Sequence, residues 1–142
     1  MKTLTPWLPL LPLTLALALG ACKNTPPKPV EPPLTEAQKA EQLIERNGQT
    51  VVGDGISLYQ GGYYSQAESK FLAPEVWQAS ADTRVKALKY LAFTYCVSER
   101  RLQCRQAFER ALQLDPNFSL DVAESSHPLW GPEFEAAKAN GI

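Results

Sequence analysis

The chain is poor in the side chains that do chemistry: 142 residues hold one histidine, one methionine and three cysteines. Two thiols and a single remote imidazole make a poor ligand set, so neither a metal nor any other cofactor is expected. His127 lies between Ser126 and Pro128. A Ser/His pair there would need an orienting partner and an oxyanion site, and no nucleophile elbow occurs anywhere in the chain. A loop or capping histidine is the expectation. Gly53, Gly55, Gly61 and Gly62 lack the spacing of a phosphate-cradling loop. The formal net charge of -1 gives no general attraction to nucleic acid. No catalytic residue, nucleic-acid partner or small-molecule substrate is expected.

The prolines, by contrast, are abundant and unevenly placed. Pro6, Pro9 and Pro12 interrupt an uncharged apolar run from Leu4 to Ala21 that follows Lys2. One basic residue and then an apolar stretch is the build of a secretory signal peptide, here residues 1–21. The run is long enough to cross a membrane, but three prolines disfavour an uninterrupted helix in its first half. Leu19-Gly20-Ala21-Cys22 resembles a bacterial lipobox, in which the signal is cut before a cysteine that is then acylated. The resemblance implies lipidation at Cys22, with several acyl chains holding where one would not. Lys23, following that cysteine, implies the outer membrane by similarity to Gram-negative lipoproteins. The domain would then face the periplasm. From residue 22 to 34 the chain is proline-rich and aperiodic, which predicts an extended tether.

Residues 35–142 read as a helical domain. Thr35 with Gln38 has the form of a capping box, opening a helix from Glu36 to about Arg46 with Leu43 and Ile44 as its main apolar contacts. Asn47-Gly48 is expected to stop it. Helices from about Gln49 to Tyr59 and from about Tyr64 to Leu72 follow, around a turn at Gln60-Gly61-Gly62. Residues 73–82 are an insertion in which Trp77 is expected to pack over a seam between hairpins. Residues 85–118 then form two more short helices around a turn at Ser98 to Arg101. Pro132 and Glu133 suit the start of a last helix, about 129–140. Phe134, Ala136 and Ala137 are its apolar side, and Leu129 and Trp130 are expected to plug the end.

The stretch from Val85 to Phe118 resembles one tetratricopeptide repeat, whose period is about 34 residues. Leu88, Leu91-Ala92 and Tyr95 take the places of the first helix's motif. Cys104, Phe108 and Ala111 take those of the second, and Pro116 ends the unit. Residues 48–81 carry a degenerate copy with Gly55, Leu58 and Ala67-x3-Phe71 in place, while Asp54 and Pro74 depart from the pattern. The resemblance implies an all-α short solenoid of antiparallel helix hairpins, about six helices in all, with capping helices at its ends. It also implies that the first helices of the two repeats form a concave, protein-binding face. That face would include Val52, Ile56 and Tyr59 from the first, and Lys86, Lys89 and Phe93 from the second. Lysines beside an aromatic ring suit a carboxylate and an apolar side chain together.

Cys96 and Cys104 are an even pair that an oxidising compartment would bridge across the hairpin turn. In a simple hairpin, however, Cys104 sits opposite Ala92, one turn from Cys96, which strains the Cα limit of roughly 7 Å. The alternative is two small buried hydrophobes. Arg100, Arg101 and Arg105 form a basic cluster expected to be solvated. The functional expectation is a lipid-anchored protein-binding adaptor or assembly factor for an envelope complex, such as a secretion system, a pilus or an outer-membrane assembly machine. A structural subunit of such a complex, or an activator of a cell-wall enzyme, are the alternatives.

Overall fold

The computed structural model describes residues 33–140. The expected signal peptide over 1–21, the lipidation site Cys22 and the tether up to residue 32 lie outside the described residues. The described chain is all-helical: α1 (Glu36–Gln60), α2 (Tyr64–Phe71), α3 (Pro74–Gln78), α4 (Ala81–Val97), α5 (Arg101–Leu114), α6 (Val122–Ser125) and α7 (Gly131–Asn140). Thr35 caps α1 as its sequence requires. Its hydroxyl accepts from the Gln38 amide at 3.3 Å, and the Gln38 side chain accepts from the Thr35 amide at 2.9 Å.

The expected break at Asn47-Gly48 does not occur, and α1 runs through it as one helix of 25 residues. Gly48 serves packing instead of termination. A Cβ there would lie 2.5 Å from the Ala79 Cβ and 2.9 Å from the Glu75 carbonyl oxygen. The missing side chain lets α1 rest directly on the end of α3, which offsets the roughly 1 kcal/mol that a mid-helix glycine costs. Leu43 and Ile44, expected as the main contacts of this region, are instead 53% and 41% exposed. The first turns of α1 project beyond the helices that pack against its second half.

That second half folds against α2, with the short turn at Gly61, Gly62 and Tyr63 between them. Gly55 is a second close approach, because a Cβ there would meet the Phe71 ring at 2.6 Å. The insertion holds a five-residue helix, α3, which the sequence reading missed; Pro74 occupies its first turn, where no amide partner is needed. Trp77 borders a small cavity with Leu88 of α4 and Leu114 of α5, and the Arg110 guanidinium lies 5.5 Å above its ring.

The α4 and α5 helices pack more extensively than any other pair among the described residues. Leu88, Leu91 and Ala92 of α4 and Cys104, Phe108 and Ala111 of α5 are buried between them. A fully buried Leu or Phe side chain contributes about 2 to 3 kcal/mol of apolar transfer, so this hairpin is the centre of the core. Its turn is a Schellman closure. The Arg100 amide donates to the Tyr95 carbonyl at 2.9 Å and the Glu99 amide to Cys96 at 3.2 Å. Glu99 holds the left-handed position, φ 61°, which glycine usually takes.

The last helix packs on α5 through Phe134, whose ring meets Phe108 edge-on at 5.2 Å and Phe118 at 5.6 Å. Trp130 is buried at the start of this helix, whereas Leu129, expected to plug the same end, is 47% exposed. The basic cluster keeps its contact with water, the Arg100, Arg101 and Arg105 side chains being 40%, 70% and 37% exposed, but each is also paired. Arg100 forks onto Glu68 of α2 at 2.6 and 3.1 Å. Arg101 and Arg105 both hold the buried carboxylate of Glu133 on α7, at 2.8 and 2.9 Å through their Nε atoms.

Candidate functional site

The face shared by α1 and α4 brings the six expected groove residues onto two neighbouring helices. Val52, Ile56 and Tyr59 follow one another at helical spacing along α1, and Lys86, Lys89 and Phe93 do so along α4. At one end Val52 and Lys86 line a cleft of about 430 Å³ together with Glu45, Gln49 and Thr83. At the other end Tyr59 meets Phe93, Tyr90 and Tyr64 with ring centroids 6.3, 5.9 and 5.8 Å apart. Burial, and then the neighbouring Tyr64, Tyr90 and Glu124, push the Tyr59 hydroxyl up to about 12. It stays protonated throughout the physiological range and works as a ring with a polar edge.

The two ends differ in a way the sequence did not foretell. Lys86 is exposed, so the cleft end is open. The aromatic end is covered. Phe93, expected to be an exposed contact residue, is 3% exposed and belongs to the core. Trp130 stacks over it at 4.4 Å and 29°, and Phe108 meets it edge-on at 6.1 Å. Lys89, expected to be free for a ligand, is bound by Glu124 at 2.6 Å. Its ammonium lies 5.1 Å from the Tyr90 centroid and 5.8 Å from that of Phe93. Glu124, Trp130, Tyr90 and Tyr64 therefore complete the face, and only Trp130 had been singled out from the sequence. Asp121 and Glu124 do carry a legible signal, the spacing of a capping box, and the Glu124 amide donates to Asp121 Oδ1 at 2.7 Å.

Glu45 holds the cleft end together. Its carboxylate accepts from the Thr83 hydroxyl at 2.6 Å, from the Ser80 amide and hydroxyl at 2.7 and 3.0 Å, and from Gln49 at 2.8 Å. Thr83 and then the Ser80 amide are the chief causes that draw its carboxyl down to about 2. The negative charge sits at the N-terminus of α4, where the helix dipole favours it.

Cys96 and Cys104 are joined by a disulfide with their Cα atoms 5.2 Å apart, inside the range that a bridge tolerates. The register that set Cys104 opposite Ala92 is offset by the tight turn from Ser98 to Arg100. The remaining polar candidates are engaged locally. His127 stacks on Trp130 with centroids 3.4 Å apart, and its Nδ1 accepts from the Leu129 amide at 3.3 Å. The Ser125 and Ser126 hydroxyls donate to the carbonyls of Val122 and Ala123. Asp54 pairs with Lys70 at 3.0 Å on the surface. Among the described residues, no group of three or more His, Cys, Asp or Glu is placed to hold a metal ion, and no helix is long and apolar enough to cross a membrane. Comparison with models of protein families, with curated proteins and with solved structures returns no match to this chain.

Proposed function

We propose that this protein is a lipid-anchored adaptor of a Gram-negative cell envelope, carried on the outer membrane by an acylated Cys22 and facing the periplasm. Its helical hairpins form a short tetratricopeptide-like solenoid that binds a protein partner on the face shared by α1 and α4. The observation that carries this reading is the open cleft lined by Val52 and Lys86, on the same two helices that bring Tyr59, Tyr90 and Phe93 together further along. A concave strip of exposed lysine, half-buried tyrosine and aliphatic side chains suits an extended or helical protein segment better than it suits a small substrate. The Leu19-to-Cys22 motif and the proline-rich stretch behind it supply the anchor and the reach.

The test is in-cell crosslinking of the tagged protein followed by mass spectrometry, comparing wild type with Lys86→Glu. Capture of one envelope component by wild type, lost in the variant, is the expected result. Capture unaffected by Lys86→Glu would move the interface off this face. For the anchor, Cys22→Ser should abolish metabolic labelling with a palmitate analogue; retained labelling overturns the anchor.

A further inference from the structure

The segment that joins α5 to α7 treats the α1–α4 face as a ligand would. Between Asn117 and the start of α7 at Gly131 the chain comes against α4, at Lys89 and at Phe93. In doing so it places a carboxylate, Glu124, on Lys89 at 2.6 Å, with both side chains about four-fifths buried. Six residues later it lays the Trp130 indole on Phe93. The Trp130 Nε1 donates to the Glu124 carbonyl at 2.8 Å, so acid and ring are fixed to each other as one unit. Between these two anchors most of the segment is solvent-facing, with Leu129 47% exposed. It is held to α4 by the acid and the ring, and between them the Leu129 carbonyl lies 3.4 Å from Cys96 Sγ.

We infer that Asp121 to Trp130 is an intramolecular strap occupying the partner site, and that the partner segment carries the same chemistry: a carboxylate followed about six residues later by an aromatic ring. This inference rests on the adaptor reading above and specifies both the ligand class and the step that admits it. Charge complementarity selects the occupant, because Lys89 is the cation at the aromatic end of the face and it sits among rings, where a carboxylate partner is favoured over water. A tethered occupant acts at an effective concentration of order millimolar. An external segment is therefore weakened by the fraction of time the strap is closed, and loosening the strap should strengthen external binding.

The test uses the full chain and a fluorescent synthetic peptide with the strap sequence, Ser119 to Gly131. Glu124→Gln and Lys89→Gln break the same ion pair and so loosen the strap alike, but only the first leaves Lys89 to receive the peptide's carboxylate. The expected result is at least fivefold tighter peptide binding by Glu124→Gln than by wild type, with no gain in Lys89→Gln. A peptide with Lys at the Glu124 position should lose the gain. Equal behaviour of the two variants, or no peptide binding by Glu124→Gln, would show that the contact only props the fold and would overturn the inference. The two readings fail separately. Partner capture in cells that is unaffected by Glu124→Gln, without peptide binding, removes the strap and leaves the adaptor. Peptide binding without any captured partner removes the adaptor and leaves the strap.

Discussion

The carboxylate of Glu45 accepts the hydroxyl of Thr83 at 2.6 Å, across 38 positions of sequence and between the two longest helices of the described chain. This contact ties the projecting α1 to the first turn of α4 and fixes the open cleft on which the adaptor reading depends.

It also predicts an acid limb of unfolding. Thr83, the Ser80 amide and Gln49 hold the Glu45 carboxyl at about 2, against the ordinary 4.5. A group depressed in the folded state contributes stability that is fully present above its unfolded value and is lost as pH falls through the folded one. The contribution should therefore fade between about pH 4.5 and pH 2. In Glu45→Gln the melting temperature should fall less steeply with pH over that window, with a loss of about 1 kcal/mol at neutral pH, the size of a typical hydrogen bond. Parallel curves for the two proteins would show that the contact has no energetic weight.

How much of this was legible follows from how local each determinant is. The Thr35 cap and the α4–α5 hairpin were readable because caps and 3.6-residue periodicity are written within a few neighbouring positions. The continuous α1 was not. A glycine near an asparagine looks the same in sequence whether it ends a helix or admits a neighbour, and only Ala79 and Glu75 of α3 decide between them. The groove was half legible. Periodicity places its six residues on α1 and α4, but the closure of Lys89 by Glu124 and the burial of Phe93 under Trp130 join positions that no periodicity connects.

The Glu133 carboxylate makes the contact between α5 and α7 asymmetric. Its side chain is 2% exposed, whereas those of Arg101 and Arg105 are 70% and 37% exposed. Burial alone would raise its pKa, but Arg105 and Arg101 outweigh that and lower it. Removing both arginines strands a buried charge, which costs about 3 kcal/mol or more. Removing the acid leaves two cations that water can reach. Urea denaturation should therefore show Arg101→Ala/Arg105→Ala as more destabilising than Glu133→Gln; the reverse order would mean that the carboxylate is reached by water.

The disulfide between Cys96 and Cys104 closes a loop with a sequence separation of 8. On the chain-entropy account a loop of this size stabilises by about 2.5 kcal/mol, by restricting the unfolded chain. Reduction, or Cys96→Ser/Cys104→Ser, should lower stability by roughly that amount while leaving the helical circular dichroism in place. A loss of less than about 1 kcal/mol would mean that strain in the bridged turn offsets the entropic gain.

Three residues beyond that bridge's first cysteine, the turn carries a correctable defect. Glu99 has φ 61° with its amide and the next bonded into the Schellman closure, so the conformation is imposed by the hairpin. A non-glycine side chain in this region costs about 1 kcal/mol or more, and Glu99→Gly should recover about 0.5 to 1 kcal/mol net of the greater freedom glycine gives the unfolded chain.

Gly48→Ala separates the two meanings a helical glycine can have. If the residue were a stop that the rest of the fold had overridden, alanine would raise stability by about 1 kcal/mol through helix propensity. The new methyl, however, would meet the Ala79 Cβ at 2.5 Å and the Glu75 carbonyl at 2.9 Å. Neither can swing aside, because one is a short side chain and the other is backbone. α3 must shift, and overpacking of this kind costs about 1 to 3 kcal/mol. The displacement would propagate through Ala79 to Ser80, whose amide and hydroxyl Glu45 holds. Gly48→Ala should therefore lose stability and also blunt the acid limb that Glu45 produces. Ala79→Gly in the same chain removes the nearer clash and should restore part of both. A stabilised Gly48→Ala protein would return the position to the role of a tolerated helix breaker and would detach α3 from the cleft.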